Sequence, residues 1–303
     1  MKDSRSTPTL ADRARGTLLG HAAGNALGVP TEFLGTPAAI EKEYPGGLRE
    51  VRRRDTTLSP WDDDVAMGVC LAEELLEPEP DLERLTNRWV RWMEEDGRGV
   101  GGWTRTALLH FRVHGTPPAE SGEQAGNGAV MRCLPLALRF FRQPANLVAS
   151  TFHISSLTHP DPRCGWSAVG VNVAAACFLA GRRDFIGDVI EALRNNQAPG
   201  EILDAVRRVP IMNRGDLPIT GGAQGYTVHC MQIALWAAYH EPELERALVW
   251  LVNAGGDTDT NAAVAGGLLG ARDGEGSVPA RWVAEVARVA YLKELAERLV
   301  GEQ

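Results

Sequence analysis

Apolar residues recur at helical spacing along nearly the whole chain. Val65, Val69, Ala72 and Leu76 fall three or four positions apart, the interval that lines one face of an α-helix. The same patterning predicts helices over 10–24, 65–76, 82–95, 104–114, 128–142, 162–180, 183–194, 199–208, 226–239, 243–252, 259–271 and 278–300. Alternating β-branched runs are sparse, and Asn127-Gly128, a hairpin turn when strands flank it, stands between helical segments and reads as a loop. There is no repeat of fixed period and no Ser/Gly/Pro-rich linker. The pattern therefore predicts an all-α, single-domain, orthogonal multi-helix assembly over 1–303.

Glycine disturbs this picture, because a helix-interior glycine costs about 0.5–1 kcal/mol relative to alanine. The chain has 33, among them Gly16, Gly20, Gly24 and Gly28, then Gly255, Gly256, Gly266, Gly267 and Gly270. Spacing of four puts Gly16, Gly20 and Gly24 on one face, which predicts close approach of a second helix.

Composition adds limits. Apolar residues make up 44% and charged residues 23%, ordinary for a globular chain long enough to bury a large core. A net charge of -8 excludes nucleic-acid binding through the overall field but leaves room for a small anion held by local donors. Five scattered cysteines without a C-x-x-C pair read as buried thiols in a reducing compartment. The opening residues are polar, and no apolar run reaches the roughly 18–20 residues that span a bilayer. A cytoplasmic protein without membrane partners is expected, with a monomer as the simplest state. Trp61, Trp103, Trp166 and Trp236 read as core.

Two acidic segments exceed what packing requires. In Ser59-Pro60-Trp61-Asp62-Asp63-Asp64, capping explains part: Ser59 as N-cap, Pro60 at the first helical position, acids facing the helix dipole. Three consecutive aspartates nevertheless repel one another, so metal binding stands beside capping. In Asn253-Ala254-Gly255-Gly256-Asp257-Thr258-Asp259-Thr260, an N-cap accounts for one aspartate and leaves the other, with the paired glycines, unexplained. Asp62, Asp63, Asp64, Asp257 and Asp259, with the Thr260 hydroxyl and no clustered His or Cys, form a hard oxygen donor set suited to Mg²⁺ or Mn²⁺.

At these residues the sequence resembles the ADP-ribosylglycohydrolase family over about 12–272. Gly24-Asn25-Ala26-Leu27-Gly28-Val29-Pro30-Thr31-Glu32-Phe33 is similar to the family's G-D-A-L-G-x-P-x-E-F, and Trp61 to Met67 to its T-D-D-T-x-M. Gly126-Asn127-Gly128-Ala129-Val130-Met131-Arg132, Leu157-Thr158-His159-Pro160 and Gly255 to Thr260 follow in the family's order. The resemblance implies an all-α hydrolase with two Mg²⁺ or Mn²⁺ ions that releases ADP-ribose from a modified target. It implies that Asp63, Asp64, Asp257, Asp259 and Thr260 hold metal, with Asp62 an added candidate ligand. Glu32 would be the acid/base or gating carboxylate, with Asp63 and Asp259 also at the reacting centre. Phe33, Gly126, Asn127, Gly128, Met131 and His159 would face the ADP-ribose moiety; Tyr226, an aromatic following Gly225, is a further candidate outside the family motifs. This chain departs from the pattern at Asn25, where the family has aspartate, and at Asp62 and Val65, where it has threonine. Gly99-Val100-Gly101-Gly102-Trp103 lacks the acid that arginine-specific members carry, so the linkage cleaved stays open. An ADP-ribose-binding module without catalysis, and a dinuclear-metal hydrolase of another glycosidic or phosphorylated metabolite, are the other readings.

Overall fold

The computed structural model describes residues 7–52, 60–119, 125–221 and 224–301. Fifteen α-helices run through them: α1 (Leu10–Gly28), α2 (Pro37–Glu43), α3 (Asp63–Leu75), α4 (Leu82–Glu95), α5 (Gly102–His114), α6 (Leu134–Phe140), α7 (Pro144–Ser156), α8 (Pro162–Leu179), α9 (Ile186–Asn195), α10 (Gly200–Arg208), α11 (Thr227–His240), α12 (Leu244–Asn253), α13 (Thr258–Asp273), α14 (Ala280–Val283) and α15 (Val289–Gly301). No strand occurs among the described residues, which confirms the all-α class; one isolated bridge joins Gly126 to Tyr226. None of these helices is long and apolar enough to cross a membrane.

The pair α1–α13 forms the centre. A helix buried on all sides needs no polar face, and α1 is buried over almost all of Arg13–Gly28. The glycine stripe makes the pairing possible: a Cβ on Gly20 would stand 2.2 Å from the Gly266 carbonyl oxygen. α8, α11 and α12 pack on α13, and α15 closes against α1. α4 and α10 instead bury one apolar stripe and show a charged face to solvent.

Two expected helix spans differ, and α2 and α7 were not expected. Over 128–142 only α6 is helical; Asn127 to Arg132 form successive turns, because Pro135 sits in the first turn of α6 and supplies no amide to an earlier one. The span 278–300 breaks into α14 and α15 at Arg288, whose φ is 54°. Helix α7 was not predicted, since Thr151 and Ser155 interrupt its buried stripe. Both are satisfied inside the fold, Asn172 Nδ2 donating to Thr151 Oγ1 at 2.9 Å and Ser155 Oγ to the Thr151 carbonyl at 2.7 Å. All five cysteines are free, four of them buried.

Candidate metal centre

Two helix starts face each other at the centre of the fold. Helix α3 begins at Asp63 with Asp62 as its N-cap, so Pro60 precedes the helix; Ser59 lies outside the described residues. Helix α13 begins at Thr258 with Asp257 as N-cap. Neither N-cap aspartate makes a capping hydrogen bond to its helix. Side-chain capping by Asp62 or Asp257 therefore does not account for these acids, although Asp63 and Asp64 do lie in the first turn of α3, facing its dipole.

The chain around Asp257 is shaped by two left-handed glycines. Gly255 and Gly256 have φ of 83° and 74°, a region costly for any side chain. A Cβ on Gly256 would also meet the Ile219 carbonyl oxygen at 2.0 Å. Thr258 Oγ1 then donates to the Gly28 carbonyl at 3.0 Å, and Thr31 Oγ1 lies 3.0 Å from Thr258 Oγ1. These bonds fasten the end of α1, and the 3-10 turn Glu32–Leu34 after it, to the start of α13.

The carboxylates converge. One oxygen from each of Asp62, Asp63 and Asp64 lies within 4.8 Å of the others. Thr260 Oγ1 donates to Asp64 Oδ2 at 3.4 Å across the two helices. Burial, reinforced by neighbouring acids, pushes Asp62, Asp64 and Asp259 well above the usual carboxylate range. Asp63 is pushed up to about 6 by burial, opposed by the Gly101 amide, which donates to its Oδ2 at 3.4 Å. Half-buried Glu32 adds to the charge felt by Asp62, Asp64 and Asp259.

Asp62 Oδ1, Asp64 Oδ1 and Asp259 Oδ1 are buried without a hydrogen-bond partner. No Lys, Arg or His pairs with the five aspartates among the described residues. Unpartnered carboxylate oxygens at such spacing are costly when empty and favourable around a divalent cation. The residues present fit such an ion. Asp62, Asp63 and Asp64 are the groups that could hold it, with Thr260 bonded to Asp64 and the charges of Asp257 and Asp259 acting on the same cluster. Val65 points instead into the hydrophobic core.

A glycine loop borders the acids. Asn127 Nδ2 donates to Asp257 Oδ2 at 2.7 Å, the Asn127 amide to the Gly225 carbonyl at 2.9 Å, and the Thr227 amide to the Ala125 carbonyl at 2.9 Å. The loops bearing Gly126 and Tyr226 are thus stitched together beside Asp257. Tyr226, half-buried, donates its hydroxyl to Glu201 Oε2 at 2.7 Å. Phe33 is 86% exposed next to Glu32. His159 is buried behind Gly126 and Gly128. Met131 belongs to the hydrophobic core, its carbonyl bonded to His21 Nε2 at 2.6 Å, so it does not join the other expected ligand contacts. Sequence reasoning missed the Asn127–Asp257 bond and the Gly101 amide on Asp63; both join segments far apart in the chain, where no local pattern exists. Trp103, read as core, is half-buried and donates to the Thr158 carbonyl at 2.7 Å.

Fold and site together define an all-helical protein built around a buried acidic centre with a glycine-rich loop at its edge. The sequence profile of the ADP-ribosylglycohydrolase family matches residues 6–303, and the chain belongs to that family. The chain is similar to the ADP-ribosyl-[dinitrogen reductase] glycohydrolase of Rhodospirillum rubrum, 29% identical over 92% of each protein. It is similar also to the ADP-ribosylarginine hydrolase Tri1 of Pseudomonas putida (strain GB-1), 30% identical over 97% of this chain and 79% of Tri1. Among solved structures it resembles an ADP-ribosylglycohydrolase-related protein complex, with a TM-score of 0.79 and 27% identity over 96% of this chain and 98% of the other. The chain is therefore a hydrolase, of the kind that cleaves ADP-ribosyl linkages.

Proposed function

We propose that this enzyme is a metal-dependent ADP-ribosyl hydrolase that breaks the ribose C1 bond of an ADP-ribosylated target and releases ADP-ribose. The observation that carries this reading is the set of unpartnered, buried oxygens of Asp62, Asp64 and Asp259, delivered from two helix starts to one centre. Two divalent cations held there would supply Lewis acidity toward the ribose hydroxyls and a more acidic water.

The chain's own groups divide the remaining work. Asp62, Asp63, Asp64, Asp257, Asp259 and Thr260 form the donor set, and Asp63 and Asp259 lie at the reacting centre. The Gly126 and Gly128 amides cradle the diphosphate without a basic surface, which suits the net charge of -8. Phe33 and Tyr226 flank the adenosine and ribose, and His159 supports the loop from behind. In the reaction the C1–N or C1–O bond breaks, its electron pair leaves with the target, and a water oxygen bonds to C1. Glu32 transfers the proton, to the leaving group or from the water.

The test is release of free ADP-ribose from arginine-linked, serine-linked and other ADP-ribosylated substrates, each with Mg²⁺, with Mn²⁺ and with chelator. Cation-dependent release is expected, and it names the linkage. ADP-ribose binding without release from any substrate would make the protein a binding module instead. An unaltered rate in Glu32→Gln would remove the role given to Glu32.

A further inference from the structure

Behind the glycine loop lies a buried polar chain of which the reaction scheme uses only His159, at its end. Arg132 is fully buried, its guanidinium 4.3 Å above the Trp89 ring. One nitrogen, Nη1, approaches Met67 Sδ at 3.7 Å, and Nη2 donates to the Thr158 hydroxyl. No carboxylate forms an ion pair with it among the described residues, although the charge of Asp63 acts on it. The Thr158 hydroxyl in turn lies 2.8 Å from His159 Nδ1.

The direction of this chain follows from hydrogen-bond inventory. A guanidinium only donates, so the Thr158 oxygen accepts from Arg132. Its single proton then needs an acceptor, and His159 Nδ1 is the one found among the described residues. Nδ1 therefore accepts, and a neutral imidazole carries its proton on Nε2. Burial, with the charge of Arg132, holds His159 down to about 3, so the ring is neutral at ordinary pH. Nε2 faces the loop: a Cβ on Gly126 would stand 3.5 Å from it, and one on Gly128 2.8 Å.

We propose that Arg132 is a positioning residue which, through Thr158, locks His159 as a neutral Nε2–H donor directed at the Gly126–Gly128 loop, adding one oriented donor for an anion held there. The assignment of that anion as the diphosphate of ADP-ribose rests on the functional reading above. Arg132 thus contributes its charge to the site indirectly, as the fixed polarity of a neutral ring.

Nitrogen NMR of the ligand-free protein reads the tautomer without any substrate. The expected wild-type spectrum shows an acceptor-type Nδ1 and a protonated Nε2 for His159. Thr158→Val is expected to mix the tautomers, to weaken ADP-ribose binding about five- to tenfold and to raise KM with little change in kcat, as loss of one oriented hydrogen bond does. Thr158→Ser, which keeps the hydroxyl, is expected to restore both. If Thr158→Val does not fold, the wild-type spectrum and Arg132→Lys, which retains a donor to Thr158, decide the matter. A wild-type proton on Nδ1, or an unchanged tautomer and affinity in Thr158→Val, would overturn the inference. Absence of ADP-ribose binding to wild type, with the tautomer as stated, would remove the diphosphate assignment and leave the role of Arg132 standing.

Discussion

The two ends of α13 treat buried charge in opposite ways. At its C-terminus, Arg13 donates from Nη1 to the Ala271 carbonyl at 3.2 Å and also to that of Arg272. Arg272 itself donates to the Ala238 and Glu241 carbonyls at 2.8 and 2.9 Å, closing the end of α11. Cations there answer both the orphan carbonyls and the negative end of the helix dipole. At its N-terminus, Asp259 shares a buried pocket with like charges and leaves Oδ1 unpartnered. One end of the helix has its charges partnered within the protein, and the other leaves a buried carboxylate oxygen unpartnered. A buried charge set without partners is a stability cost that persists at sites where function requires it.

That contrast is broken most directly at Asp259. Asp259→Asn keeps the shape and removes a charge, so hydrolysis is expected to fall about a thousandfold, or about 4 kcal/mol. Thermal unfolding in chelator should meanwhile move upward, because one repelling carboxylate is gone. Retained activity, or a chelated variant less stable than wild type, would show that this end is not a ligand-completed site. Arg272→Met tests the other end. It should cost about 3 kcal/mol in denaturant unfolding, by leaving the α11 carbonyls bare, while kcat per folded molecule stays unchanged.

Cation addition sharpens the same comparison. At 100 times its dissociation constant, each bound Mg²⁺ or Mn²⁺ should stabilise wild type by about 2.7 kcal/mol, and Asp259→Asn far less. A buried histidine offers a pH control away from the acids. His21 donates to the Met131 carbonyl from inside α1, and burial holds it down to about 4. Its folded value lies below the unfolded one near 6.5, so the unfolded state binds the extra proton. The stabilisation is complete above about pH 6.5 and declines toward pH 4, by on the order of 2 kcal/mol at pH 5. Equilibrium unfolding of His21→Asn should lack that share of the pH dependence.

Legibility in the sequence followed the range of each interaction. The helices α4, α9 and α10 could be read from local period, and the glycine stripe of α1 pointed to a close partner. The acids at Asp62–Asp64 and Asp257–Asp259 were visible as excess charge, but family resemblance, not spacing, indicated that they meet. The turns at 128–132 looked helical because Ala129, Val130, Met131, Cys133 and Leu134 are apolar around the single charged Arg132, and burial alone does not separate a packed turn from a helix. Asn127 on Asp257 and Arg132 on Thr158 are long-range bonds with no periodic signature at all.

The smallest expected effect lies at the rim. Phe33 is the most exposed large apolar side chain among the described residues, and it follows Glu32 in the turn fastened to the start of α13. An aromatic that contributes nothing to the core has little reason, on stability grounds, to stand in solvent beside Glu32. A ligand ring laid on its face would bury it, and such stacking is worth about 1–3 kcal/mol when removed by alanine. Phe33→Ala should therefore raise KM about fivefold to tenfold, leave kcat near wild type and leave the melting temperature where it was; Phe33→Trp should recover the KM. A fall in kcat with KM unchanged would move Phe33 from adenosine binding to control of the neighbouring Glu32. A loss of stability would place it with the satisfied end of the comparison, as packing that the free protein already uses.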